Sequence, residues 1–236
     1  MAEETFYVGA YWGPRDERVE DCARRLAQFL AVLGEIDPLL GSWFQTAGSR
    51  SAALKMPVDP SADALRELLL AGQNRRDFDD RSVITELGYS VGIWNGQVGE
   101  VGLNVTCGAS ISTPHMSSNL VLIDLPDTEG EALRLYRRDT ALAVVRATVT
   151  AWQPSWCTWA GRLLRKAQGR QPDEIVVGWA TYVADGSRVE VDRLPAGAMT
   201  EPLNGGLLIT ANGDADSASE ATVLAIRDAL GPALHQ

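Results

Sequence analysis

The sequence is poor in lysine, histidine and cysteine, and each scarcity removes a class of chemistry. Lys55 and Lys166 are the only lysines against 19 arginines, a bias that reads as genomic base composition. His115 and His235 are the only histidines, too few imidazoles for a zinc centre, and no Cys/His cluster occurs. No metal and no cofactor are therefore expected. The cysteines, Cys22, Cys107 and Cys157, are odd in number and form no C-x-x-C pair, so they read as reduced core residues. The longest apolar runs, 120–123 and 141–145, are far too short to span a membrane. The acidic opening, Met1 to Thr5, runs straight into a strand-like segment, so no signal peptide is read and a cytoplasmic location is expected. Phosphate-cradling glycine loops are missing too, since Asn204-Gly205-Gly206 precedes a strand and not a helix.

Positive charge is also in deficit. Lys and Arg total 21 against 31 Asp and Glu, a net charge of −10 with a pI near 4.7. A phosphate-backbone binder needs a basic face to displace counterions, so the charge argues against direct nucleic-acid binding, and against an anionic membrane surface. A cationic protein partner fits. The deficit is spread, −6 over residues 1–118 (10 basic, 16 acidic) and −4 over 119–236 (11 basic, 15 acidic), with no acidic tail.

What is present is an ordinary globular chain of 236 residues, 45% apolar, long enough to bury a core without staples. Residues 5–12 read as a central strand. The stripe Val19, Cys22, Leu26, Phe29, Leu30, Leu33 predicts a helix, with Asp16 as its cap and Glu20–Arg24 and Asp21–Arg25 as i,i+4 pairs. It ends at Gly34 and Asp37-Pro38, with a short helical piece through Leu39, Trp43 and Phe44. Residues 45–60 read as a loop, and Ser61 caps a helix stopped at Gly72. Alternation at Tyr89, Val91, Ile93 and at Val101, Leu103, Val105, Cys107 predicts a hairpin around Asn95-Gly96. Leu120–Leu125 reads as a strand and Asp139–Trp152 as a buried helix broken by Pro154. Ile175–Val183, Val189 with Val191, and Leu207–Ile209 read as further strands. Ser217 opens a last helix that Gly231-Pro232 stops. The element order predicts an α+β fold, an antiparallel or mixed sheet with packed helices, in a single domain over 1–236.

Catalytic patterns are thin. Gly88-Tyr89-Ser90-Val91-Gly92 matches a nucleophile elbow, but an elbow needs a following helix, and Gly96, Gly99 and Gly102 oppose one. A serine hydrolase at Ser90 is the alternative enzyme reading. Asp77, Asp79 and Asp80 resemble a calcium loop, yet Ser82 stands where glycine is required and Gly88 where a bidentate glutamate is. The seven tryptophans are assigned to the core, with one or two left for an interface.

The run Phe6-Tyr7-Val8-Gly9-Ala10-Tyr11-Trp12-Gly13-Pro14-Arg15 resembles the N-terminal signature of the immunity protein 52 family. So do Cys22-Ala23-Arg24-Arg25-Leu26 and Ile36-Asp37-Pro38. Asn74-Arg75, Glu86-Leu87-Gly88, Trp94-Asn95-Gly96 and Val177-Gly178-Trp179-Ala180-Thr181-Tyr182 are similar to its later blocks, in order. The resemblance implies an α+β, non-enzymatic, cytoplasmic immunity protein of a polymorphic-toxin or type VI effector system. It would bind a cognate toxin with a restriction-endonuclease-like nuclease domain. An effector-binding adaptor or chaperone is the other non-enzymatic reading. A nuclease groove is basic, so exposed acidic loops are the expected contacts. The candidates are Asp77, Asp79 and Asp80; Asp127, Glu129 and Glu131; and Asp214 and Asp216.

Overall fold

A computed structural model describes residues 4–77, 81–112, 117–169 and 174–234. The first half of the chain carries β1 (Phe6–Trp12), α1 (Val19–Ile36), β2 (Phe44–Gln45), α2 (Arg50–Ala53), α3 (Ala62–Ala71), β3 (Tyr89–Trp94), β4 (Gly102–Cys107) and β5 (Asn119–Asp124). The second carries α4 (Leu133–Tyr136), α5 (Arg138–Trp152), β6 (Trp156–Gly161), α6 (Arg162–Ala167), β7 (Ala180–Val183), β8 (Met199–Leu203), β9 (Gly206–Thr210) and α7 (Glu220–Leu230). The fold is α+β, and the β2/β3, β3/β4, β6/β7, β7/β9 and β8/β9 ladders are all antiparallel. Two compact units form, residues 11–123 and residues 1–10 with 124–236.

In the 11–123 unit the strands run in the order β2-β3-β4-β5. The hairpin has the alternation read from the sequence: Val91 pairs with Val105 and Ile93 with Leu103, all buried, while Ser90 pairs with Thr106 on the other face. Its 95–101 connection is organised by one side chain. The Asn95 amide, buried, donates to the carbonyls of Leu39 and Gly99 at 3.2 and 2.8 Å and accepts from the N–H groups of Gln97 and Val101 at 3.2 and 3.1 Å. α1 buries Val19, Cys22, Ala23, Leu26, Phe29, Leu30 and Leu33 along one stripe and packs on α3. Each such leucine or phenylalanine contributes about 1.5–3 kcal/mol.

Several local expectations fail here for tertiary reasons. The α1 N-cap is Arg18, with no side-chain bond, and not Asp16. The expected i,i+4 pairs do not form. Asp21 takes Arg18 and Arg24 at 3.1 Å each, Glu20 takes Arg66 of α3, and Arg25 turns to Glu17 at 2.6 Å. Glu17 is only 11% exposed, and a carboxylate so placed draws the nearest cations to itself. The 45–60 segment is no plain loop. It holds α2, capped by Ser49, and Phe44 bridges to Pro57. Phe44 itself lies in β2, not in a helical piece.

In the other unit the order is β1-β6-β7-β9-β8, with β1 belonging to it through Ala10. β6 is buried from end to end, and Trp159 packs edge-on against Tyr136 and Trp179. α5 covers β6 and β7 with Ala141, Leu142, Val144, Val145, Thr148, Val149 and Trp152, and leaves Arg146 to pair with Glu201 at 2.5 Å. The expected strand over 175–183 is reduced to β7. At Gly178 a Cβ would lie 2.0 Å from the Trp159 carbonyl, so the chain passes too close to β6 to run as a regular ladder. Val191 opens a 3₁₀ turn and Val189 ends another, so that expected strand does not form. The α7 cap is Ser219, which accepts from Thr222 N–H at 3.1 Å. Ser217 instead donates to the Asp214 carbonyl.

Candidate functional site

Two of the three acidic segments named from the sequence converge, and Tyr136 is where they meet. The 127–131 turn leaves β5 through Leu125-Pro126, and the Tyr136 hydroxyl donates to the Pro126 carbonyl. The 214–216 turn reaches the same residue from the other side, where Ala215 N–H donates to the Tyr136 carbonyl at 2.8 Å. Burial first, and then the Asp127 and Asp216 charges, push the Tyr136 phenol far above its ordinary range. Asp127, Glu131 and Asp216 are exposed, and so is Glu129. Glu131 holds Arg134 at 3.3 Å, one turn on. Asp214 serves the fold itself, because its carboxylate accepts the N–H of Arg138, the first residue of α5, at 2.8 Å.

A groove of about 270 Å³ adjoins the 214–216 turn. Its acidic lining is Glu4, Asp216 and Glu220, and its apolar lining includes Phe6, Leu163, Leu164 and Trp179. Among the described residues no basic side chain lines it. Trp179 is fixed from behind, its indole N–H donating to the Gly213 carbonyl at 3.2 Å and its ring under the Arg138 guanidinium at 5.5 Å. Asp216 and Glu220 make no side-chain hydrogen bond or ion pair with any described residue, and Glu220 also benefits from its place in the first turn of α7. An apolar-walled slot with unpaired carboxylates at its rim suits a cationic side chain with a hydrocarbon stem.

The third acidic segment differs in kind. Asp77 is exposed, whereas Asp79 and Asp80 lie outside the described residues. Three arginines, Arg75, Arg76 and Arg81, bracket the three aspartates, so the segment is charge-balanced. Arg75 bridges to Val83, and Arg76 N–H donates to the Ser82 carbonyl.

The Ser90 motif has the geometry of a sheet surface. β3 runs unbroken through Gly92, and the Ser90 hydroxyl shares a hydrogen bond with Thr106 across the hairpin at 3.2 Å. Both histidines lie outside the described residues. Among the described residues no group of three or more His, Cys, Asp or Glu is placed to hold a metal, and no helix is long and apolar enough to cross a membrane.

Sequence reasoning does not find Glu4, Glu220 or Tyr136 as parts of this region, nor α6, whose Arg162, Arg165 and Lys166 line an open pocket of about 410 Å³. The spacing of those three cations, i, i+3 and i+4, is the one local signal for them.

No curated protein matches the chain in sequence. A similar fold occurs in the Pseudomonas aeruginosa T6SS protein PA0821, at 13% identity and a TM-score of 0.54, over 98% of this chain and 73% of that one. The family model described as immunity protein 52 matches residues 4–226, nearly the whole chain, and the chain belongs to that family.

Proposed function

We propose that this chain is a cytoplasmic immunity protein that neutralises a cognate nuclease toxin by binding over its substrate groove, with no turnover, metal or cofactor of its own. Family membership supports the immunity role. One observation carries the choice of surface: two exposed acidic turns converge on Tyr136 beside a groove whose described lining holds carboxylates and no cation. A nuclease groove must be basic to hold phosphates. An acidic face therefore raises the encounter rate and competes with the nucleic acid for the same cations.

Co-expression with the product of the adjacent toxin gene, scored for copurification and for survival, tests this reading. Both are expected. Copurification without protection would identify an adaptor instead. Reversal of Asp127, Glu129 and Asp216 to lysine is expected to weaken binding by at least tenfold, about 1.4 kcal/mol. A change within threefold would remove the electrostatic decoy. Labelling of the chain by a serine-reactive probe, abolished by Ser90→Ala, would restore the hydrolase reading.

A further inference from the structure

α6 is a helix of six residues, none of them buried. A helix that short is unstable alone, and this one adds no side chain to the core. Yet polar groups fasten it at both ends. At its start the Glu4 carboxylate accepts Leu163 N–H at 2.8 Å, and Arg162 N–H donates to the Thr5 carbonyl at 2.8 Å. Gly161 admits that carboxylate, since a Cβ there would lie 2.6–2.9 Å from its atoms. Just past its end, buried Gln168 grips the backbone of Val177 in both directions. Nε2–H donates to the carbonyl at 2.6 Å, and Oε1 accepts the N–H at 3.0 Å. A helix clamped in this way, with nothing gained in the core, is preorganised for what it presents outward.

It lies between two surfaces of opposite charge, an acidic groove on one side and its own three cations on the other. Leu163 and Leu164 wall the groove of Glu4, Asp216 and Glu220, and Leu163 is 44% exposed. Helical geometry puts Arg162, Arg165 and Lys166 on the opposite side, where they line the 410 Å³ pocket. Arg162 is tied to Asp124, and the Arg162 and Arg165 guanidinium groups lie over the Tyr7 ring at 5.6 and 5.9 Å. Arg165 and Lys166 pair with no carboxylate among the described residues, although acids outnumber bases 31 to 21 in the chain. Neighbouring cations with no carboxylate partner among the described residues, in a chain with surplus carboxylates, are placed for an anion from outside.

We infer that α6 is the centre of the toxin-binding surface. A cationic side chain of the toxin enters the groove against Asp216 and Glu220, Leu163 is covered, and a toxin carboxylate enters the pocket of Arg165 and Lys166. The inference rests on the immunity reading and sharpens it. It adds a basic contact to the acidic face, and a two-sign match also fixes orientation and rejects wrong partners. A nucleic acid is a poor occupant of the pocket, because the net charge of −10 and the adjoining acidic groove repel its backbone.

The experiment measures binding of the purified chain to the full-length adjacent-gene toxin, inactivated so that it can be produced. Three variants are compared with the parent: R165E/K166E, D216K/E220K and L163S. All three alter side chains that lie outside the core, and unchanged thermal midpoints confirm that they fold. Each charge-reversed pair is expected to weaken binding at least tenfold, and L163S severalfold. Loss from D216K/E220K alone would overturn the two-sign surface, and no loss from any variant would overturn the surface altogether. Duplex DNA held by the parent and released by R165E/K166E would make the pocket a phosphate site and overturn the inference. A parent chain that fails to bind the toxin at all would instead sink the immunity reading itself.

Discussion

α1 and α6 are both helices, but they are held by different physics. α1 is 18 residues long and is fixed by a continuous apolar stripe, with its charged side chains free to pair as neighbours allow. α6 buries nothing and is fixed by a capping carboxylate and a buried amide. Non-directional burial tolerates repacking and reports on stability. Directional clamps contribute less energy but fix position, which is what a recognition surface needs. The contrast separates a part of this protein that keeps it folded from the part proposed to face a partner.

The largest effects should therefore come from α1. Leu26→Ala is expected to cost about 2–5 kcal/mol in chemical denaturation, while Leu163→Ala stays within about 0.5 kcal/mol. Equal costs would erase the distinction. Gln168→Ala should come next, at about 1–3 kcal/mol, because it strands the buried N–H and carbonyl of Val177. Amide exchange over 162–167 should speed up while α1 stays protected. Protection retained in α6 would show that Gln168 is not its clamp.

Alkaline pH probes the acidic turns. The Tyr136 phenol is raised in the folded chain, so the unfolded chain loses its proton first as pH climbs. Its contribution is complete below the ordinary tyrosine range, near pH ~10, and is lost as pH rises from there toward the folded value. Tyr89 and Tyr182, also raised by burial, act in the same direction. D127N/D216N should flatten the decline measurably, through removal of the two charges that oppose the tyrosinate. An unchanged pH profile would mean that the turns do not act on Tyr136. The smallest effect expected is from Glu4→Gln, which keeps an acceptor for Leu163 N–H and should cost under about 1 kcal/mol.

Periodicity makes an element legible in the sequence where one of its faces is wet. α1, α3 and the β3/β4 hairpin all show it. β6 escapes a sequence reading because a strand buried on both faces has no alternation, and Pro154 marks only the break after α5. β8 is hidden by Pro202, which is tolerated because β8 ends the strand order and its N–H side need not pair. Val189 and Val191 alternate as a strand would, yet Val189 follows one 3₁₀ turn and Val191 opens the next, and neither pairs in a strand ladder among the described residues. The acidic turns are visible as composition. Their meeting at Tyr136 depends on contacts between segments some 80 residues apart, as in the Ala215 to Tyr136 bond, and no local pattern encodes that. The same holds for the α6 clamps, which join Glu4 to Leu163.

The most direct test of the central claim is the association rate of this chain with the adjacent-gene toxin as a function of salt. An acidic face that steers the toxin gives fast association at low ionic strength, a steep fall with added salt, and loss of most of that salt dependence when Asp127, Glu129 and Asp216 are reversed together. A rate that is indifferent to both salt and charge reversal, with binding intact, would contradict it.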